Sequence, residues 1–219
     1  MTSSTKGGST SEARARLLST ATRIFYAEGI HSVGIDRITA EANVTRATLY
    51  RHFTGKEDLV LAYLGQADQG IRGQVAAAQA SSRSAVDKVR AVARSITQGI
   101  QSPGFRGCAF LNAAAEYADP AHPIRQFVLA HRQWFLDTVT ELLAQIGDAP
   151  AGPAARHFIL LRDGAMAAGC LFDPVLVSET FLQGVEGILL ARTGSTTSPE
   201  TTPSSGTTEQ QAGASPSRR

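Results

Sequence analysis

Residues 45–56, TRATLYRHFTGK, crowd hydroxyls, guanidinium groups, a phenol, an imidazole and an ammonium into one short run. They include no nucleophile with its base and no metal-ligand spacing. They are mostly donors, and a surface of donors suits oxyanions such as phosphates. If Val44, Leu49 and Phe53 turn inward on a short helix, Thr45, Arg46, Ala47, Thr48, Arg51 and His52 turn outward. Tyr50 can lie along a sugar–phosphate chain and donate its hydroxyl. Lys56 opens the next helix, where free backbone N–H groups and an ammonium converge on one anion. Two plainer readings stay open: Tyr50 as a packed aromatic of a small core, and His52 as an ordinary surface histidine.

The flanking sequence supplies elements that can hold such a run in place. Residues 11–28 put Ala13, Leu17, Ala21, Ile24, Phe25 and Glu28 at spacings of three and four, and Gly29 stops that helix. Asp36–Ala42 reads as a short helix with Ile38 and Ala42 inward, Asn43–Val44 as a turn, and Thr45 as the N-cap of the next helix. A helix, a turn of about three residues and a second short helix make a helix-turn-helix, whose second helix enters the major groove of DNA. Lys56 then starts a long helix to about Ala80.

Beyond it the pattern remains helical. Helices are predicted over 84–101, about 106–117, 123–146, 153–171 and 174–192, with breaks at Ser102-Pro103-Gly104, Asp119-Pro120 and Gly147–Gly152. No segment alternates with a period of two, so the class is all-α. Residues 1–10 and 193–219 are predicted to be disordered tails, because both lack large apolar side chains apart from Met1. The expected division is a helix-turn-helix unit over 11–56 and a larger helical unit over 57–192, to which the resemblance described below gives regulatory and dimerisation roles.

Composition narrows the function classes. The chain has 219 residues and a net charge of +2, with charged residues at 18% and two cysteines. The charge is uneven: residues 11–56 carry seven Arg/Lys against four Asp/Glu, a surplus of three, while 57–192 carry eleven against thirteen, a deficit of two. A basic end on a slightly acidic body fits one end meeting a polyanion. The sequence offers no leader and no uncharged apolar run of about 18–20 residues, and the expectation is a cytoplasmic protein without a membrane partner. No G-x-S-x-G, glycine-rich phosphate loop or H-E-x-x-H is present, so no catalytic residues and no cofactor are predicted. A helical enzyme or small-molecule carrier that merely begins with three helices is the alternative.

IDRITAEANVTRATLYRHFTGKEDLV resembles the DNA-binding signature of the tetracycline-repressor (TetR) family of bacterial regulators, most specifically in TLYRHF followed by Lys56. The resemblance implies three DNA-binding helices, a helical regulatory body and two final helices that dimerise. It implies a homodimeric repressor on a pseudo-palindromic operator in double-stranded DNA, released by a small molecule. Carried over, Arg46 reaches base edges, Ala47 and Thr48 face bases or thymine methyls, and Thr45, Tyr50, His52 and Lys56 touch phosphates. Arg51 reads a base or a phosphate. Ile35 stands where many members have Thr or Ser.

In the body, Phe110, Asn112, Glu116, His131, Trp134 and Phe135 combine aromatics, an amide, a carboxyl and an imidazole among apolar neighbours. They are the predicted lining of a mostly apolar effector pocket. Capping or cross-helix hydrogen bonding is the other reading of Asn112 and Glu116, and core packing that of Trp134 and Phe135. Glu116, Asp119, His122 and His131 match no metal spacing, so no metal is predicted. Cys108 and Cys170 read as small packed residues, with a redox-sensing thiol as the alternative for Cys108. Ala165, Ala168, Gly169, Gly184, Gly187 and Ala191 suit the close approach of the last two helices of two subunits, which the resemblance favours, with ordinary packing within one chain as the alternative.

Overall fold

The computed structural model describes residues 6–81 and 84–194, with side chains from residue 12 onward. Nine α-helices and no strand occur among the described residues: α1 (Lys6–Glu28), α2 (Ile35–Glu41), α3 (Arg46–His52), α4 (Lys56–Ala80), α5 (Ala85–Ile100), α6 (Ala109–Glu116), α7 (Pro123–Ala144), α8 (Ala151–Ala168) and α9 (Pro174–Gly194). Sequence signals and structure agree on α4 at both ends. They differ at α1, which starts at Lys6 within the stretch expected to be a disordered tail. Lys-Gly-Gly-Ser is a poor helix former, but extending an anchored helix avoids the cost of nucleation. Likewise α9 continues through Thr193 and Gly194. The rest of the expected C-terminal tail lies outside the described residues.

Two hydrophobic clusters organise the chain. The first is built from α1, α2 and α3 around Leu17, Ile24, Phe25, Ile38, Leu49 and Phe53, and continues into Leu59, Val60, Tyr63 and Leu64 of α4. Phe110 and Ala113 of α6, with Ile124 and Val128 of α7, close its far side. Ile35 packs against this cluster as well, so an apolar side chain there has a packing role. The second cluster joins α5, α7, α8 and α9 through Val92, Ile96, Phe135, Phe158, Phe181 and Leu189, and takes Val75 from α4. The division expected at 56–57 therefore marks a change of helix rather than a gap between cores, because α4 belongs to both.

Charged groups tie the last helix into the body. By length and composition α9 could cross a bilayer, with 21 residues and a mean hydropathy of 1.2. Glu179 and Glu186 interrupt it, so it is not an uncharged apolar run. Glu186 instead accepts from Nε and the terminal nitrogen of Arg90 on α5, at 2.7 and 2.8 Å. Buried Arg192 donates to the carbonyls of Ile146, Gly147, Ala149 and Pro150 at 2.9–3.3 Å. That single side chain satisfies the otherwise orphaned carbonyls of the α7–α8 loop.

Candidate nucleic-acid interface and effector cavity

α3 is set by local chemistry. The Thr45 hydroxyl accepts the Thr48 N–H at 3.1 Å and bonds the Thr48 hydroxyl at 2.9 Å, so Thr45 is the N-cap that the sequence predicts. Leu49 and Phe53 are buried and Val44 is half-buried, while Thr45, Arg46, Ala47, Tyr50 and Arg51 are exposed. Thr48, His52 and Lys56 are partly covered. Tyr50 is 52% exposed, which removes the reading of it as a core aromatic. Arg14 of α1 lies over the Phe53 ring at 5.1 Å and backs the helix from behind.

An ion-pair network fixes the angle between α1 and α2. Arg37 pairs with Glu28 and Glu41, and Arg23 reaches Glu41 at 2.5 Å. Hydrogen bonds from Arg37 hold the Glu28 carboxyl below its usual range; those from Arg23 and Arg37 do the same for Glu41. Arg46 reaches back to Asp36 at the start of α2, Nε to Oδ1 at 2.8 Å. Both partners are well exposed, so this bridge is weak and the guanidinium is available to a base edge. Lys56 begins α4 beside Glu116; burial lowers its pKa and the Glu116 charge partly offsets that.

Three of the residues predicted to line an effector pocket have structural roles instead. Phe110 is fully buried and stacks on His131 with ring centroids 3.6 Å apart. His131 Nδ1 lies 2.6 Å from Asp68 Oδ1. Burial lowers the His131 pKa against the raising effect of Asp68, and an Nδ1–H donating to the carboxylate satisfies the contact. Glu116 turns to the loop between α1 and α2, where its carboxylate accepts the backbone N–H groups of Ile30 and His31 at 2.8 and 2.5 Å. Gly29, at φ +90, supplies the left-handed turn that ends α1 beside that carboxylate.

Two more of the six sit on the surface side. Exposed Asn112 donates to the Arg106 carbonyl at 3.0 Å. Half-buried Trp134 carries Arg72 over its ring at 4.0 Å, an arrangement that also shields Asp68, which Arg72 bridges at 2.7 Å. Only Phe135 of the six lines the cavity described next. The sequence pattern identified polar groups on apolar helices correctly; it could not tell that those groups face one another or the α1–α2 loop.

That cavity, of about 210 Å³, lies where α1, α4, α5, α7 and α8 converge. Its walls are Ile71, Val75, Ile96, Phe105, Phe135 and Met166, and its polar groups are Tyr26, Gln74, Ser95 and Arg162. The Tyr26 hydroxyl accepts the Arg106 N–H and donates to the Gly107 carbonyl, both at 2.9 Å; burial raises its pKa. Tyr26 therefore brings α1 into contact with the body through the loop before α6. Sequence reasoning missed Tyr26 and Arg162. A lone arginine within the apolar run FILLRDGAMAA was the available signal for Arg162.

The close helix approach expected between subunits at Gly184 occurs within the chain: a Cβ there would stand 2.8 Å from Leu161 Cδ1. Gly169 likewise packs inward, on Ile100 and Phe105. Gly164 and Gly187 face open space. Around them α8, α9 and the turn between them expose Leu160, Leu171, Phe172, Val175, Leu176 and Leu190, and an apolar cleft of about 360 Å³ runs between the two helices.

The profile of the bacterial regulatory proteins, tetR family, matches residues 17–63, from α1 into α4. A solved TetR-family transcriptional regulator from Streptomyces coelicolor is 77% identical in sequence, covers 84% of this chain and 97% of its own, and superposes with a TM-score of 0.83. The chain belongs to the TetR family. It is thus a helix-turn-helix, DNA-binding transcriptional regulator and not an enzyme. This TetR-family regulator is also 26% identical over 139 residues to the transcriptional regulator LmrA of Bacillus subtilis, covering 62% of this chain and 73% of LmrA. Over 53 residues, 24% of either chain, it is 42% identical to the transcriptional activator FasR of Mycolicibacterium smegmatis. The relatives thus include a protein named as an activator.

Proposed function

We propose that this TetR-family regulator is a homodimeric repressor whose α3 helices read successive major grooves of a pseudo-palindromic operator, and that a small, mostly apolar ligand releases it. The observation that carries the proposal is the placement of Tyr26. One side chain of α1, the first helix of the DNA-binding end, forms part of the wall of a cavity in the body. An occupant that moves Tyr26 tilts α1 and changes the separation of the two α3 helices. In this reading Arg46, Ala47, Thr48 and Arg51 face bases, while Thr45, Tyr50, His52 and Lys56 hold phosphates. Glu116, through Ile30 and His31, is a second link between body and α1.

The apolar surface of α8 and α9 is assigned to the partner subunit. Two helices from each subunit pack as a four-helix bundle, which covers Leu160, Phe172 and Leu176 and explains why so apolar a helix as α9 is only partly covered in one chain. Leu176→Glu should give a folded monomer by light scattering, with weakened operator binding. A dimer that persists in this variant removes α9 from the interface.

Repression and release are tested together. Operator fragments selected from the source genome are placed upstream of a reporter, with and without the regulator. Reporter output should fall when the regulator is present and recover with the ligand. A rise on adding the regulator alone contradicts the repressor assignment while leaving DNA binding intact.

A further inference from the structure

The cavity holds a buried charge that the fold does not fully use. Arg162 is 5% exposed, and its Nε has no hydrogen-bond partner. One terminal nitrogen donates to Asp163 Oδ1 at 2.8 Å, and the other lies 3.5 Å from Cys108 Sγ, a weak acceptor. Asp163 is not Arg162's alone. Arg132 donates to both of its carboxylate oxygens, at 2.5 and 3.3 Å. Two guanidinium groups thus share one carboxylate, which leaves a surplus positive charge at the edge of the cavity. Phe135 lies beneath, with the guanidinium carbon 5.3 Å from its ring centroid. A buried donor of this kind costs free energy unless something accepts from it.

We infer that the effector is a compact organic anion, a carboxylate on an apolar body, that pairs with the Arg162 guanidinium inside this cavity. The inference rests on the ligand-released reading above and assigns the ligand's chemical class. The surplus cation selects the anion, and a hydrogen bond is stronger when donor and acceptor are both charged. Ile71, Val75, Ile96 and Phe105 accept the apolar body. Size sets the remaining limit: at about 210 Å³ the space is smaller than the roughly 300–1,000 Å³ of drug-sized sites, so a single ring or a short chain fits and a nucleotide conjugate does not. Bound there, the anion also lies against the wall that Tyr26 forms, which couples its arrival to α1.

Thermal stabilisation of the full-length protein at fixed ionic strength tests the chemical class with three matched probe sets: benzoate and hexanoate, benzamide and hexanamide, benzylamine and hexylamine. The carboxylates should stabilise the protein in a saturable way, with the amides and amines binding about tenfold more weakly or worse. Arg162→Gln should bring the carboxylates down to the level of the amides. The wild-type ranking stands as a test even if that variant does not fold. Stabilisation by amides or amines but not by carboxylates would overturn the anion assignment and leave a ligand-binding body. No stabilisation by any set would overturn the assignment together with the ligand-released reading.

Discussion

The DNA-facing surface and the body cavity use the same kinds of side chain in opposite ways. On α3 the donors are exposed, and what orients them is local: a Thr45 cap, a buried Leu49 and Phe53, and the Arg23–Glu41–Arg37–Glu28 network behind. In the body and where α1 meets it, a tyrosine, a histidine and an arginine are partly or fully covered, and each reaches a group far away in sequence. Tyr26 bonds the backbone of 106 and 107, His131 bonds Asp68, and Arg162 touches Cys108. Substitutions on the first surface should therefore change binding and spare the fold. Those in the second region should change the fold or its response to solution conditions.

The largest expected effect lies in the body. Phe158 is fully buried and meets Phe181 edge to face at 5.7 Å. Phe158→Ala should lower stability by about 3–5 kcal/mol, read by urea unfolding. Tyr50→Phe, in contrast, should leave the unfolding midpoint unchanged and weaken DNA binding. A large stability loss from Tyr50→Phe would break the contrast between the two regions.

Next in size are the side chains of the DNA-facing surface. Arg46→Ala should reduce preference for operator over random DNA by about 1–3 kcal/mol per lost bidentate base contact, measured by competition titration. Lys56→Ala should weaken both kinds of DNA alike and reduce the magnitude of the log–log salt slope by roughly 2 per dimer, one phosphate contact per subunit. If Lys56→Ala instead changed operator preference, the division into base and phosphate contacts would need redrawing.

Thr45→Ala sits between the two classes, since Thr45 both caps α3 and faces outward. It should cost about 1 kcal/mol of stability and also weaken DNA binding, whereas Thr45→Ser should restore the cap. The smallest effect concerns pH. Burial lowers the His131 pKa in the folded state, so below the unfolded value of about 6.5 the unfolded chain binds more protons and stability falls on acidification. His131→Gln should flatten that part of the stability–pH curve. An unchanged slope would mean that other groups set it.

What the sequence made legible follows the same divide. The Thr45 cap, both bounds of α4 and the inward Leu49 and Phe53 rest on interactions within a turn or two of helix, and the sequence carries those directly. Phe135 lines the cavity between α1, α4, α5, α7 and α8. Phe110 and Glu116 were expected beside it and are not, because nothing in a periodic pattern tells a helix residue which neighbour its side chain will meet. Gly184 makes the point for packing: its spacing announced a close helix approach, but whether the opposing helix belongs to the same chain is a tertiary fact, and Leu161 supplies it. At α1, propensity argued against Lys6–Gly8 and helix continuity prevailed.

Footprinting on an operator fragment selected from the source genome tests the central claim most directly, that exposed residues of α3 and Lys56 hold DNA as a two-fold pair. The expected result is two protected half-sites about 34–36 Å apart, one helical turn or a multiple of it, lost from both half-sites in Arg46→Ala at concentrations where the wild type still protects. Protection of a single site without a symmetry mate, or a full wild-type footprint from the Arg46→Ala protein, would contradict it.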